Sequence, residues 1–225
     1  MNMVSEKGME KVTGICLIGA GRAGMIHARN FASRVPCAKV TAIADTVEEM
    51  AKAAADELKA GFYTTDYREA LKRDDVDAVV VVTPTKYHVD VVVAAAQAGK
   101  HIFCEKPMAM NKEECEEMIE AARANGVKLQ IGFMRRFDEN FRRAKKMIED
   151  GEIGDVVTVK SLTHGPSTPR EWMYDIEKSN GPLAEVNSHD IDTVRWLTGG
   201  EADYLYAMAG NFRCEEARES YPDFY

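Results

Sequence analysis

Ile15-Cys16-Leu17-Ile18-Gly19-Ala20-Gly21-Arg22-Ala23-Gly24 is a short apolar run that breaks into G-x-G-x-x-G and then into a segment of helical pattern. Each glycine has its own task in a strand, turn and helix. Gly19 permits the tight turn, Gly21 lets the backbone approach a pyrophosphate with no Cβ in the way, and Gly24 lets the helix pack close to the strand. The helix start, with Arg22 and Ala23 in its first turn, presents unpaired N–H groups and a positive dipole end to phosphates. Glycine turns also arise for structural reasons alone, so this reading needs a second signal.

The second signal is Ala38-Lys39-Val40-Thr41-Ala42-Ile43-Ala44-Asp45, which reads as a buried strand ending in a carboxylate about 20 residues past Gly24. An acid there accepts both ribose hydroxyls of a dinucleotide and repels a 2′-phosphate. Thr46 and Val47 offer no arginine to hold such a phosphate. The expected cofactor is NAD, with NADP disfavoured. Asp45 also suits the cap of a helix over Val47–Ala60, a role compatible with the ligand role.

Strand and helix patterns alternate from there. The Val47–Ala60 helix is followed by a strand at Phe62–Thr64, a small helix over Tyr67–Arg73 and a β-branched run at Asp77–Thr83, as expected of a central parallel strand covered on both faces. A helix over His88–Gly99, a strand at His101–Cys104, a helix over Lys112–Asn125 and a strand at Val127–Gly132 complete the pattern. The expectation is an α/β fold: a Rossmann doubly wound parallel sheet in the order 3-2-1-4-5-6, with ligands beyond the carboxyl ends of its strands. That places the chemistry at Gly19–Gly24, Asp45, Thr83–His88, Lys106 and Gly132–Arg136.

The character then changes. A basic helix over Phe141–Asp150 leads to a partly alternating run at Asp155–His164, expected as an antiparallel strand. A loop over Gly165–Gly181 is long enough to cover a site, Pro182–Leu197 has a helical pattern, and Tyr204–Phe212 returns to strand. The organisation expected is a dinucleotide-binding domain at 1–133 and a partial, truncated α+β domain at 134–225 for substrate and oligomer contacts. With 225 residues, 45% of them hydrophobic, the chain suffices for one full domain and part of another.

A net charge of -8 argues against a nucleic-acid or anionic-membrane surface. No apolar stretch approaches the roughly 20 residues of a membrane span, and the N-terminus is not signal-like. The five cysteines, Cys16, Cys37, Cys104, Cys115 and Cys214, are odd in number and lack a C-x-x-C, so they read as reduced thiols of a cytoplasmic protein.

Two places carry possible acid–base chemistry. Lys106 lies between a strand end and Pro107 with Glu105 beside it, where its ammonium can be aimed into the cofactor crevice; the bland alternative is a surface turn. Glu185 and His189 stand four residues apart on one expected helix face, followed by Asp190 and Asp192, so a carboxylate can orient the imidazole; the bland alternative is a solvated face. Alcohol oxidation needs a base for the hydroxyl proton, and an unperturbed imidazole pKa of about 6.5 suits that task. A zinc site from Glu185, His189 and Asp190 lacks H-E-x-x-H spacing, so no metal is expected. His88 and His164 fit capping or packing, and His27 fits the first helix or the cofactor's vicinity.

Together these motifs, with Thr83-Pro84-Thr85-Lys86-Tyr87-His88, Phe103-Cys104-Glu105-Lys106-Pro107, Gly132-Phe133-Met134-Arg135-Arg136-Phe137 and Ser188-His189-Asp190-Ile191-Asp192, resemble the glucose-fructose oxidoreductase/inositol dehydrogenase/MocA family. The resemblance runs in order from residue 12 to about 214, and the Phe103–Pro107 and Gly132–Arg136 stretches are most similar to myo-inositol 2-dehydrogenases. It implies a second domain with an open antiparallel sheet that mediates homo-oligomer assembly. It also implies that Lys106 contacts the reacting oxygen and the nicotinamide side, that His189 takes the substrate proton, and that Thr83, Pro84, His88 and Glu105 line the cofactor pocket. Arg135, Arg136 and Asp190 would hold substrate oxygens.

Two departures stand out: Glu185 replaces an aspartate of the inositol dehydrogenases, and the chain stops early in the second sheet, as a shortened member or fragment whose missing strands are supplied by a partner or lost. The leading expectation is NAD-dependent oxidation of a hydroxyl on a polyol, cyclitol or sugar, with Lys106 and His189 as the acid–base pair and Glu185 orienting His189. The alternatives are a dinucleotide-binding protein without turnover, and an NAD-assisted glycoside-cleaving enzyme.

Overall fold

The computed structural model describes residues 11–163 and 175–210. Strand β1 (Thr13–Ile18) pairs in parallel with β2 (Ala38–Ala44) on one side and β4 (Ala78–Val81) on the other; β3 (Phe62–Thr64) extends the sheet past β2, and β5 (His101–Cys104) and β6 (Leu129–Ile131) extend it past β4. The order β3-β2-β1-β4-β5-β6 is the one the alternating pattern predicts, and its reversal lies between β1 and β4.

Crossovers are made by α1 (Arg22–Arg34), α2 (Glu48–Leu58), α3 (Tyr67–Leu71), α4 (His88–Gln97) and α5 (Lys112–Ala124). Helix α2 turns Ala51, Ala54 and Ala55 inward at helical spacing, and these small side chains pack with Ile15, Leu17, Val40, Ile43 and Val80 in one core. The shared β-branched run at β4 is fully covered, with Val79, Val80 and Val81 all buried, as a central parallel strand requires.

The chain forms two compact units. One takes in the chain to Thr83 with His88–Cys104 and Glu116–Gln130; the other takes in Pro84–Tyr87, Glu105–Cys115 and the chain from Ile131 onward. The second carries a 3-10 turn at Met134–Phe137 and helices α6 (Glu139–Glu149), α7 (Ile176–Ser179), α8 (Gly181–Glu185) and α9 (Ser188–Thr198).

Three expectations are corrected here. Residues 155–163 form no strand, and neither do 204–209, where an isolated bridge at Gly210 is the sole pairing described. A strand persists through hydrogen bonds to a neighbour, and alternation in sequence supplies the face but not the neighbour. The apolar side chains stay in solvent, Val157 at 92% exposure and Tyr204 at 97%. The expected helix over Pro182–Leu197 is two helices, α8 and α9, broken at Val186-Asn187. His164, Cys214 and most of the Gly165–Gly181 loop lie outside the described residues. Among the described residues no helix is long and apolar enough to cross a membrane.

Candidate active site

In the first unit the glycine loop has the shape its sequence requires. Gly19 sits at φ +98°, where a side chain is strained, and a Cβ there would lie 2.5 Å from the Val82 carbonyl oxygen. A Cβ on Gly24 would lie 1.9 Å from the Gly19 carbonyl oxygen, which is how closely α1 approaches the turn. Gly21 is different: nothing lies within 4 Å of the place its Cβ would occupy. Helix α1 starts there with no side-chain cap and no acidic residue in its first turn. Its first helical bond runs from Met25 N to Gly21 O at 2.9 Å, so the amides of Arg22, Ala23 and Gly24 come before the ladder begins. An uncapped helix start beside an open glycine fits a dinucleotide pyrophosphate.

Asp45 serves the entry of α2, as its sequence position suggests, and also the glycine loop, which that position did not reveal. Its carboxylate accepts the Ala20 amide at 2.7 Å and the Val47 amide at 2.9 Å, tying the end of β2 to the glycine loop and to the entry of α2. Each oxygen keeps lone-pair capacity for a ribose hydroxyl. At the end of β4, the Thr83 hydroxyl is buried with no hydrogen-bond partner among the described residues, while its carbonyl lies 2.9 Å from His88 Nε2. His88 is buried at the start of α4.

The second unit holds Lys106, Glu185 and His189, the residues expected to carry acid–base chemistry. The Lys106 ammonium donates to the main-chain carbonyl of Glu185, and Glu105 accepts the Lys106 amide at 3.0 Å. Pro84 opens the 3-10 turn at Thr85–Tyr87, and the buried Thr85 hydroxyl donates to Glu185 Oε1 at 2.6 Å. Burial pushes the Glu185 carboxyl up, against the opposing effects of the Thr85 bond and the Lys106 charge. Helix α8 ends at Glu185 and α9 starts at Ser188; the Glu185 carboxyl is engaged by Thr85, and among the described residues it makes no hydrogen bond to His189 Nδ1. Sequence reasoning gave Thr85 no role, because its partner lies 100 residues away and leaves no local pattern.

His189 is half-buried in the first turn of α9, and its Nδ1 has no hydrogen-bond partner among the described residues. Burial lowers the pKa of its imidazole, and the charges of Lys106 and Arg135 lower it further against Glu105 and Asp190. The ring is therefore neutral at pH 7 and able to take a proton. The neighbouring Ser188 hydroxyl is also buried and unpartnered among the described residues; Ser188 lines an apolar cavity of about 450 Å³ with Phe133, Leu183 and Ile191, a cavity that neither Lys106 nor His189 lines.

Arg135, Arg136 and Asp190, expected near substrate, each hold an ionic partner within this unit. Arg135 donates to Asp190 at 2.8 Å and to Thr163 at 3.1 Å; Thr163 at 2.7 Å and Ser161 also donate to Asp190. Arg136 grips buried Asp192 with two bonds, of 2.9 and 2.7 Å. Two consecutive arginines on the 3-10 turn thus each hold one carboxylate near the start of α9. Burial would raise the Asp190 carboxyl, but the bonds from Arg135, Ser161 and Thr163 outweigh it and hold the carboxyl below its ordinary range.

Removing one partner of such a pair leaves the other charge uncompensated, so Asp190→Ala is expected to cost about 2 kcal/mol in urea unfolding. The folded carboxyl titrates below its unfolded value, so the stability it contributes is complete above about pH 4 and is lost as pH falls through the folded value. Asp190→Asn, which does not titrate, should flatten that acid limb.

Among the described residues no group of three His, Cys, Asp or Glu side chains is placed to hold a metal ion. Cys16 is buried and its thiol is pushed up to about 12 by burial, which leaves it unreactive.

A family model described as the oxidoreductase family, NAD-binding Rossmann fold, matches residues 13–133, and one described as the GFO/IDH/MocA C-terminal domain matches residues 141–221. The chain is 40% identical over 196 residues to uncharacterized oxidoreductase YrbE of Bacillus subtilis (strain 168), an alignment covering 87% of this chain and 56% of that protein. It is 37% identical over 193 residues to scyllo-inositol 2-dehydrogenase (NAD(+)) of the same organism, covering 86% and 56%. It is similar in structure to scyllo-inositol dehydrogenase from Lactobacillus casei with bound cofactor NAD(H) and scyllo-inositol, with a TM-score of 0.80 at 32% identity, covering 93% of this chain and 63% of that one. The chain spans little more than half the length of the curated relatives it matches.

Proposed function

The chain belongs to the GFO/IDH/MocA oxidoreductase family, and from that membership we propose that it oxidises a secondary hydroxyl of a cyclitol or related polyol with NAD as acceptor. The observation that carries this reading is the His189 imidazole, whose pKa burial lowers and whose Nδ1 has no hydrogen-bond partner among the described residues, in the same unit as the Lys106 ammonium. A neutral imidazole accepts the hydroxyl proton as the carbon–oxygen double bond forms. The ammonium donates one N–H to the Glu185 carbonyl, which leaves two for the substrate oxygen. Those donors stabilise the negative charge that builds on that oxygen as its proton leaves.

When bound, NAD supplies the hydride acceptor. In the 1–133 part of the chain, the open face of Gly21 and the amides of Arg22 and Ala23 would hold its pyrophosphate, and Asp45 its ribose hydroxyls. The 134–225 part would serve the polyol and subunit contacts. The names of the Bacillus subtilis dehydrogenase and the ligands of the Lactobacillus casei structure support both the cofactor and the cyclitol. Assembly as a homo-oligomer is part of the same reading, supported by the exposed apolar side chains of Leu205, Tyr206 and Met208. So is residence in the reducing cytoplasm, supported by the unpaired thiols of Cys16 and Cys37.

The test is a cofactor titration followed by a substrate panel. NAD is expected to bind at least about tenfold more tightly than NADP, because Asp45 repels a 2′-phosphate. NADH is expected to form with myo-inositol, scyllo-inositol or a related polyol. Binding of NAD with no reduction across the panel would favour a protein without turnover; product from a glycoside with no net NADH would favour bond cleavage; a preference for NADP would overturn the role given to Asp45.

A further inference from the structure

We infer that Glu185 is a positioning residue that acts away from His189: its carboxyl fixes the Thr85 hydroxyl, its main-chain carbonyl fixes the Lys106 ammonium, and the site requires the length of its side chain rather than its charge. The inference rests on the proposed hydroxyl oxidation and assigns a task within it.

Glu185 ends α8, where carbonyl groups have run out of intrahelical partners. One of those carbonyls takes the Lys106 ammonium, so the lysine is anchored by a neutral acceptor and keeps its positive charge for whatever else it meets. Three residues later, past Val186-Asn187, a new helix has started, and among the described residues no hydrogen bond joins the Glu185 carboxyl to His189 Nδ1. The Glu185 side chain goes instead to Thr85, and both residues are buried, at 7% and 2% exposure. A hydroxyl at that depth needs an acceptor, and a carboxyl oxygen supplies one whether it is ionised, protonated or replaced by the amide oxygen of glutamine. An aspartate is one methylene too short to reach it.

The test uses the 225-residue chain with Glu185→Gln, Glu185→Asp, Thr85→Val and Thr85→Ser. Glu185→Gln should keep kcat/KM within about threefold of the parent and leave the His189 imidazole titration, followed by NMR, where it was. Glu185→Asp and Thr85→Val should each lower the melting midpoint by about 5 °C and kcat by about tenfold or more, with KM little changed, since the side-chain bond that steadies the residue 185 carbonyl against Lys106 is lost while that carbonyl itself remains. Thr85→Ser should recover most of both losses, and the double variant Glu185→Asp/Thr85→Val should be no worse than either single one.

The inference is overturned if Glu185→Gln abolishes turnover or lowers the His189 pKa, since either result means that the charge acts on the imidazole. It is also overturned if Glu185→Asp behaves as the parent, or if the two single losses add. Should the parent chain reduce NAD with no polyol, the proposed reaction fails by itself. The melting cycle and the His189 titration still decide the place of Glu185, because neither depends on turnover.

Discussion

Lys106→Met and His189→Gln are each expected to lower turnover on the responsive polyol by about a hundredfold or more, with NAD affinity nearly unchanged. In the proposed reaction the ammonium acts on the substrate oxygen and the imidazole on its proton, whereas the cradle proposed for the phosphates is built from the glycine loop and α1. Methionine keeps the bulk of the lysine stem, and glutamine keeps a polar group at 189, so a collapse of the fold should not confuse the result. The pH profile adds a signed test. Burial, then Lys106 and Arg135, depress the His189 pKa, so kcat/KM should rise with pH along an acid limb whose midpoint lies below that of an ordinary imidazole. Taking the Lys106 charge away removes one depressing influence, and the acid limb of the residual activity in Lys106→Met should move toward higher pH. Stopped-flow NADH formation across a pH series checks both; a limb that stays fixed would mean that the two groups do not share a site.

The sheet was legible in the sequence because its determinants are local. Gly19, Gly21 and Gly24 fix a turn within six residues, the β4 valines announce a strand covered on both faces, and the alanines of α2 lie at helical spacing. What stayed hidden depends on partners far along the chain. Arg135 and Arg136 read as two cations next to a strand end, and nothing near them points to Asp190 and Asp192, more than fifty residues on. The hydroxyl of Thr85 and the carboxyl of Glu185 find each other across 100 residues.

The break between α8 and α9 is a different case. The apolar spacing of Pro182–Leu197 reads as one helix, but the structure restarts at Ser188, with Asn187 before it in a helical conformation and making no side-chain cap bond. Residues 155–163 and 204–209 show the limit from the other side, since alternation specifies a face and the ladder depends on a neighbour.

Three glycines separate the cradle's two requirements, close packing and open space. Gly24→Ala is expected to cost about 3 kcal/mol or more in unfolding free energy and to abolish dinucleotide binding, because the added methyl would stand 1.9 Å from the Gly19 carbonyl oxygen and backbone must move to admit it. Gly14→Ala makes an equal overlap, 1.9 Å from the Asp75 carbonyl oxygen, but at the opposite end of β1 from the loop. It should cost similar stability while the folded fraction still binds NAD. Gly21→Ala meets no protein atom within 4 Å and sits at φ -68°, which any residue adopts, so its stability should match the parent's. If a pyrophosphate lies against that backbone, the methyl occupies the ligand's space, and affinity should fall by at least about tenfold. Calorimetric titration beside thermal melts reads all three. A Gly21→Ala chain that melts as the parent and binds NAD as tightly would remove the phosphate from this loop, whatever the other two variants do; a loss confined to affinity at 21, to stability at 14 and shared at 24 is the pattern that a ligand-filled cradle alone produces.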